Sequence, residues 1–209
     1  MELAVDAEGC SWSEAETGKL GLWLFLLSEI MLFGAFFACY IATRLGNADC
    51  ALGTPVWPEA GHLPGLALAS LNTVLLLTSS YTMVRAISAA GRGERSRFRA
   101  NLAATSALGA CFLVVKGIEY ALKISHGYYP GSDLAKAGPG LSIFLSYYYL
   151  MTSLHGLHVL AGLVWNSVVL TIPEGTPADV LAHKAEYAGI YWHFVDLVWV
   201  FLFPLFYLI

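Results

Sequence analysis

Charged residues are scarce in this chain of 209 residues, only 12% of it, whereas soluble domains carry about 25%. The shortage excludes a water-soluble fold for most of the length. With 57% hydrophobic residues and a mean hydropathy of +0.64, the chain reads as one dissolved in lipid. A net charge of -4 is too small to argue for nucleic acid or another charged ligand. Basic residues are absent before Lys19, while Glu2, Asp6, Glu8, Glu14 and Glu16 precede it. A secretory signal needs a basic start and then an apolar core, so residues 1–18 read as a mobile acidic tail. Cysteine is sparse too. Cys10, Cys39, Cys50 and Cys111 show no CxxC or paired spacing, which indicates neither a zinc site nor a disulfide framework. No segment alternates like a strand of a membrane barrel. There is no phosphate-binding loop, no nucleophile with a base at recognisable spacing, no internal repeat and no low-complexity tract.

What the chain has is long apolar runs. About 20 apolar residues cross the hydrocarbon core as a helix, and five segments qualify: Leu20–Thr43, Gly65–Ala86, Leu102–Ile124, Leu141–Ile172 and Ala185–Ile209. The expected fold is all-α, a polytopic bundle of five transmembrane helices over residues 19–209. The fourth run exceeds the bilayer's need and should tilt or project. Pro204 should bend the fifth. Arg92, Arg95, Arg97 and Arg99 cluster between the second and third runs, with Arg85 just before them. Short loops rich in Lys and Arg stay cytoplasmic, which puts the N-terminus inside and the C-terminus outside. Lys184 agrees with that orientation; Lys136 opposes it and is outweighed. The loop with Trp57 and Pro58 and the loop from Ser125 to Gly140 then face outward, and Cys10 and Cys50 fall on opposite sides.

Ionisable groups inside these runs are the candidate functional residues, because such groups face protein or a polar cavity rather than lipid. Glu29 lies roughly 14 Å into the first helix at about 1.5 Å per residue. It reads either as a proton-exchanging carboxyl or as a protonated acid hydrogen-bonded to a neighbouring helix. His155 and His158 share a helix face. With His193 on the next helix, and Glu29 if the first helix packs beside both, they suggest a metal or haem site. The competing reading is histidines bonding across helices, each bond worth about 0.6–2 kcal/mol. The spacing matches no metal signature such as HExxH. Lys116, Glu119 and Lys123 share a face near the outer end of the third run, and the simplest expectation is a local ion pair that snorkels outward. Asp196 follows His193 by three residues and is expected to pair with it. Asn72 opens the second run. Trp192 and Trp199 face lipid or neighbouring helices. The bottom-up reading is a polar-cored bundle with no catalytic, cofactor or metal site of its own, of the kind that serves as a subunit.

Read in order, Leu27-Ser28-Glu29, Leu71-Asn72-Thr73, Glu119-Tyr120, His155-Gly156-Leu157-His158-Val159 and Tyr191-Trp192-His193-Phe194-Val195-Asp196 resemble subunit III of the haem–copper oxidases. The last two blocks are specific, and the match runs along nearly the whole membrane portion. The resemblance implies a non-catalytic subunit that carries no haem or copper, both belonging to partner subunits. Those partners are subunit I as the main contact, subunit II and a small subunit IV, with cytochrome c as donor and a bacterial plasma membrane as location. It implies structural phospholipid, support of proton uptake into subunit I and protection during turnover. It assigns Glu29 as a carbodiimide-reactive carboxyl of structural or lipid-associated role. Asn72, Glu119, His155, His158, Trp192, His193 and Asp196 are expected to form a structural polar network. Many members have seven helices with a lipid-filled cleft beside the first two; the residues here match the other five. The cytochrome c oxidase form fits best. Quinol oxidase members often have aspartate in place of Glu29. An accessory protein of nitric oxide reductases shares the Leu-Asn-Thr block, the run from Leu77 to Tyr81 and an ending like Leu202 to Leu205. Outside the family, the competing class is a proton-coupled transporter built on Glu29 and the histidines.

Overall fold

The computed structural model describes residues 14–48, 65–132, 139–173 and 175–208. Cys10, Cys50, Trp57, Pro58, Lys136 and most of the acidic N-terminal segment lie outside the described residues. Five helices account for nearly all the rest: α1 (Glu14–Ala48), α2 (Leu66–Gly91), α3 (Arg95–Ser125), α4 (Pro139–Leu170) and α5 (Ala178–Tyr207). All five are long and apolar enough to cross a membrane.

Each apolar run lies in one helix, but the helices extend beyond several of them. α3 starts seven residues before the expected Leu102, and α5 starts seven before Ala185. Hydropathy marks only the hydrocarbon-facing part. The helix continues past it because its hydrogen bonds are local and need no lipid. Two boundaries have clear causes. Gly93, with φ of 72°, reverses the chain between α2 and α3, a conformation that costs glycine little. Pro177 stands just before α5, where its missing N–H is no loss. Pro204 sits inside α5, which nevertheless runs on to Tyr207.

Helices α2, α3, α4 and α5 form a closed ring, each touching the two beside it, and among the described residues α1 touches only α4 and α5. Most of α1 therefore faces outward: Trp23, Leu24, Leu27, Ile30 and Met31 are all exposed. Lys19 Nζ reaches Glu186 at 2.8 Å, and Arg95 donates to the carbonyls of Pro173 and Thr176. These contacts bring the start of α1, the α2–α3 turn and the α4–α5 connection to one end of the bundle.

The ring closes tightly because small residues admit one large one. Trp192 is fully buried, and a Cβ added at Gly109 of α3 would lie 2.6 Å from its ring, while one at Gly162 of α4 would lie 2.9 Å away. In lipid the helices gain little from the hydrophobic effect, so close packing at small residues is a main source of their association.

Candidate functional site: polar contacts inside the bundle

Among the polar contacts that cross between helices, three groups hold the residues singled out in the sequence. The first joins α5 to α2. Trp192 Nε1 donates to Ser79 Oγ at 3.0 Å, and Trp199 Nε1 donates to Thr73 Oγ1 at 3.1 Å. His193 Nδ1 lies 2.7 Å from Ser80 Oγ. Both tryptophans are thus core residues with their single donor satisfied, and neither indole is a lipid anchor. This corrects the expected His193–Asp196 pair. His193 turns to Ser80, and Asp196, on the same face, makes no hydrogen bond to His193. Residues three apart share a helix face, but a rigid neighbouring helix offering a hydroxyl at bonding distance wins the imidazole.

The second group is the basic and acidic set on α3. Lys116 Nζ lies 3.0 Å from Glu119 Oε2, and Lys123 Nζ lies 2.9 Å from Glu119 Oε1. The ion pair of the sequence reading is present, but it does not snorkel outward. All three residues are at most 5% exposed and point into the ring. The reason lies on other helices. Tyr148 of α4 and Tyr207 of α5 donate their hydroxyls to Glu119 Oε1 at 2.8 and 2.6 Å, and both accept from Lys116, at 2.9 and 2.7 Å. Lys116 therefore uses all three ammonium donors. Lys123 Nζ stands 3.9 Å from the centre of the Tyr148 ring, within cation–π range. Burying ions is costly unless they are paired and hydrogen-bonded; here Glu119 pairs with both lysines, and Tyr148 and Tyr207 from two other helices complete the bonding of Lys116 and Glu119. Gly65, just before α2 with φ of 128°, leaves room for the same carboxylate; a Cβ there would lie 2.9 Å from Glu119 Oε1.

The third group joins α1 to α4. His158 Nε2 lies 2.9 Å from Glu29 Oε2, and its Nδ1 lies 2.8 Å from the Leu154 carbonyl oxygen. Tyr191 of α5 donates its hydroxyl to the His158 carbonyl at 3.0 Å, and the Phe33 ring meets the imidazole edge-on. Both side chains remain about one-seventh exposed on the seam, 15% for Glu29 and 14% for His158.

The histidines are thus distributed rather than gathered. His158 takes Glu29, His193 takes Ser80, and His155 is buried with its ring 5.4 Å from Trp199 and stacked on it. Among the described residues no three His, Cys, Asp or Glu side chains converge. His155 and Asn72 are both buried without a side-chain hydrogen-bond partner among the described residues. At the arginine-rich turn, Arg92 and then Arg97 hydrogen-bond the Glu94 carboxylate and hold it below the usual carboxylate range.

The sequence reading singled out Glu29, His158, Glu119 and His193 but not their partners Tyr148, Tyr207 and Ser80. A buried tyrosine or serine in an apolar helix carries no signal until its neighbour is known. Lys116 and Lys123 were visible at helical spacing; only their direction was not.

Five membrane-length helices tied together by polar contacts define a polytopic helical membrane protein. Among such proteins, the family described as cytochrome c oxidase subunit III matches residues 12–209. The cytochrome c oxidase subunit 3 of Alkalihalophilus pseudofirmus is 35% identical, covering 93% of this chain and 88% of its own length. That of Bacillus subtilis is 34% identical over 93% and 87%. The cytochrome bo(3) ubiquinol oxidase subunit 3 of Pseudomonas aeruginosa is 32% identical over 90% and 83%. The chain belongs to the cytochrome c oxidase subunit III family, and it is a subunit III of a haem–copper oxidase.

Proposed function

We propose that this chain is a non-catalytic scaffold of a cytochrome c oxidase in a bacterial plasma membrane, seated against subunit I, with subunit II and a small subunit IV completing the complex. Haem and copper belong to those partners, as does the reduction of oxygen by electrons from cytochrome c coupled to proton pumping. The observation that carries the reading is the set of polar ties between helices. Glu29, His193, Glu119, Trp192 and Trp199 each bond a side chain on another helix. Such bonds hold helices together and contribute about 0.6–2 kcal/mol each in a membrane. The relatives named as cytochrome c oxidase subunits support that donor.

The arginine-rich turn supports an N-terminus on the cytoplasmic side. An apolar groove of about 270 Å³ between α1 and α5, lined by Ile30, Phe33, Gly34, Phe37, Leu197 and Phe201, suits a phospholipid acyl chain. A quinol-oxidizing complex is the second reading, favoured by the ubiquinol oxidase relative.

The test is to tag this chain, purify it gently from its native membrane, and record the redox spectrum and oxygen uptake with reduced cytochrome c and with quinol. Haem signals with cytochrome c-driven uptake support the proposal. Quinol-driven uptake selects the second reading. A chain that purifies without haem and moves protons in liposomes overturns both.

A further inference from the structure

We infer that the seam between α2 and α5 docks against a transmembrane helix of subunit I, and that His193 Nε2 bonds a hydroxyl or amide side chain of that helix. This assignment rests on the seating against subunit I proposed above, and adds the face and the atom that make the contact.

Depth is the first observation. His193 lies midway between Ala178 and Tyr207, the ends of α5, and Ser80 lies near the middle of α2. At about 1.5 Å per residue, the imidazole is roughly 20 Å from either end of its helix. Its Nδ1 is taken by Ser80 Oγ at 2.7 Å. No described residue bonds its Nε2, and the side chain is only half-buried. The unbonded edge of the ring therefore opens outward at mid-bilayer depth. Acyl chains offer it no hydrogen bond, and phospholipid headgroups lie far from that level. A polar side chain in such a place faces protein rather than lipid.

The other outward faces lack this demand. On the α1–α4 seam the partly exposed Glu29 and His158 bond each other. Leu157, Leu160, Val164 and Val168 of α4 form an aliphatic strip that lipid satisfies. On the α2–α5 seam, Leu77 and Val84 share the Ser80 face of α2, and Leu197 and Val200 share the His193 face of α5, all of them exposed. An apolar strip around one polar atom suits a helix that packs by shape and adds a single interhelical bond.

The chemistry of that bond follows from counting hydrogens. Ser80 has one to give, to Nδ1 or to Asp196, which stands beside the same hydroxyl. If Nδ1 accepts it, Nε2 carries the hydrogen of the neutral ring and needs an acceptor outside. If Asp196 accepts it, Nδ1 carries the ring hydrogen and Nε2 needs a donor. A hydroxyl or an amide serves either arrangement without bringing a charge into the bilayer.

The face is tested by placing the photo-crosslinking residue p-benzoylphenylalanine at Leu77, Val84 or Val200 of the tagged chain and irradiating native membranes. Val164, on α4 across the ring from α2, is the control. Mass spectrometry should find adducts with a transmembrane peptide of subunit I from the seam positions and none from Val164. Seam adducts only with lipid, with a quinol or with a second copy of this chain would overturn the inference, as would adducts with subunit I from Val164 alone.

The atom is tested by two variants that separate the ring nitrogens. His193→Asn keeps an amide where Nδ1 stands, and with it the Ser80 bond, but has nothing at the Nε2 position. His193→Gln reaches that position. In graded detergent His193→Asn should release subunit I about three- to thirtyfold more readily than the wild type, the worth of one interhelical bond. His193→Gln should stay close to the wild type. Wild-type retention of subunit I by His193→Asn would overturn the inference, and haem still purifying with the chain would leave the oxidase reading standing. A chain that purifies without haem would remove both.

Discussion

Tyr207, the last residue of α5, donates its hydroxyl across 2.6 Å to Glu119 in the middle of a buried cluster on α3. The end of the last helix is thereby fastened to a carboxylate that also receives Lys116, Lys123 and Tyr148. Removing different members of this cluster should have very different consequences.

Glu119→Leu removes the only carboxylate of the set and leaves two buried ammonium groups facing each other. Breaking a buried ion pair by deleting one partner costs about 3–5 kcal/mol. Tyr207→Phe deletes one hydrogen bond of several and should cost about 1 kcal/mol. The measurement is retention of the tagged subunit in the detergent-purified complex during a temperature ramp. Loss of Glu119→Leu well below Tyr207→Phe is expected; equal midpoints would mean that the cluster does not carry the α3–α5 contact.

Gly109→Ala places a methyl group 2.6 Å from the Trp192 ring, whereas nothing lies within 4 Å of a Cβ at Gly117 on the same helix. Overpacking of this kind costs about 1–3 kcal/mol, and alanine is the better helix former at an open site. Gly109→Ala should lower the thermal midpoint of the complex, and Gly117→Ala should leave it unchanged or raise it.

His193 bonds Ser80 rather than Asp196, and a double-mutant cycle separates the two. His193→Leu with Ser80→Ala should show a coupling of about 0.6–2 kcal/mol, as for other interhelical bonds in membranes. His193→Leu with Asp196→Asn should show a smaller coupling than His193→Leu with Ser80→Ala. The reverse pattern, read from subunit dissociation in graded detergent, would restore the His–Asp pair.

Glu94 is a carboxylate held below its usual range by Arg92 and Arg97. A depressed folded-state value means that its support of the α2–α3 turn is complete above the ordinary carboxylate range. It is lost as pH falls through the folded value. Hydrogen exchange of the amides of Gly93 and Glu94, which donate to Ala90 and Ala89, should show less protection at the acidic end of that range than above it, after correction for the intrinsic rate. Glu94→Gln should abolish the difference. The group is exposed, so the effect should stay local to the turn.

The residues that could be read directly were those whose surroundings are set by lipid. A carboxyl at Glu29 or an imidazole at His158 stands out because its neighbours in sequence are apolar. The partners could not be read, since any hydroxyl or phenol is inconspicuous among the tyrosines and serines of such helices. The spacing of Lys116, Glu119 and Lys123 placed them on one face but left its direction open. An outward face needs only the local helix, whereas an inward face needs Tyr148 and Tyr207 from elsewhere.

By itself, the sequence determined that this protein is five apolar helices and that ionisable groups lie within them, because helix length and lipid solubility depend on neighbouring residues in the chain. Its motif blocks pointed to subunit III. Only the tertiary structure decided which polar groups meet: Glu29 with His158, His193 with Ser80, and the lysines inward onto Glu119. Those contacts join residues up to 129 positions apart. Their geometry follows from how helices cross and from where glycines such as Gly109 and Gly162 let Trp192 in.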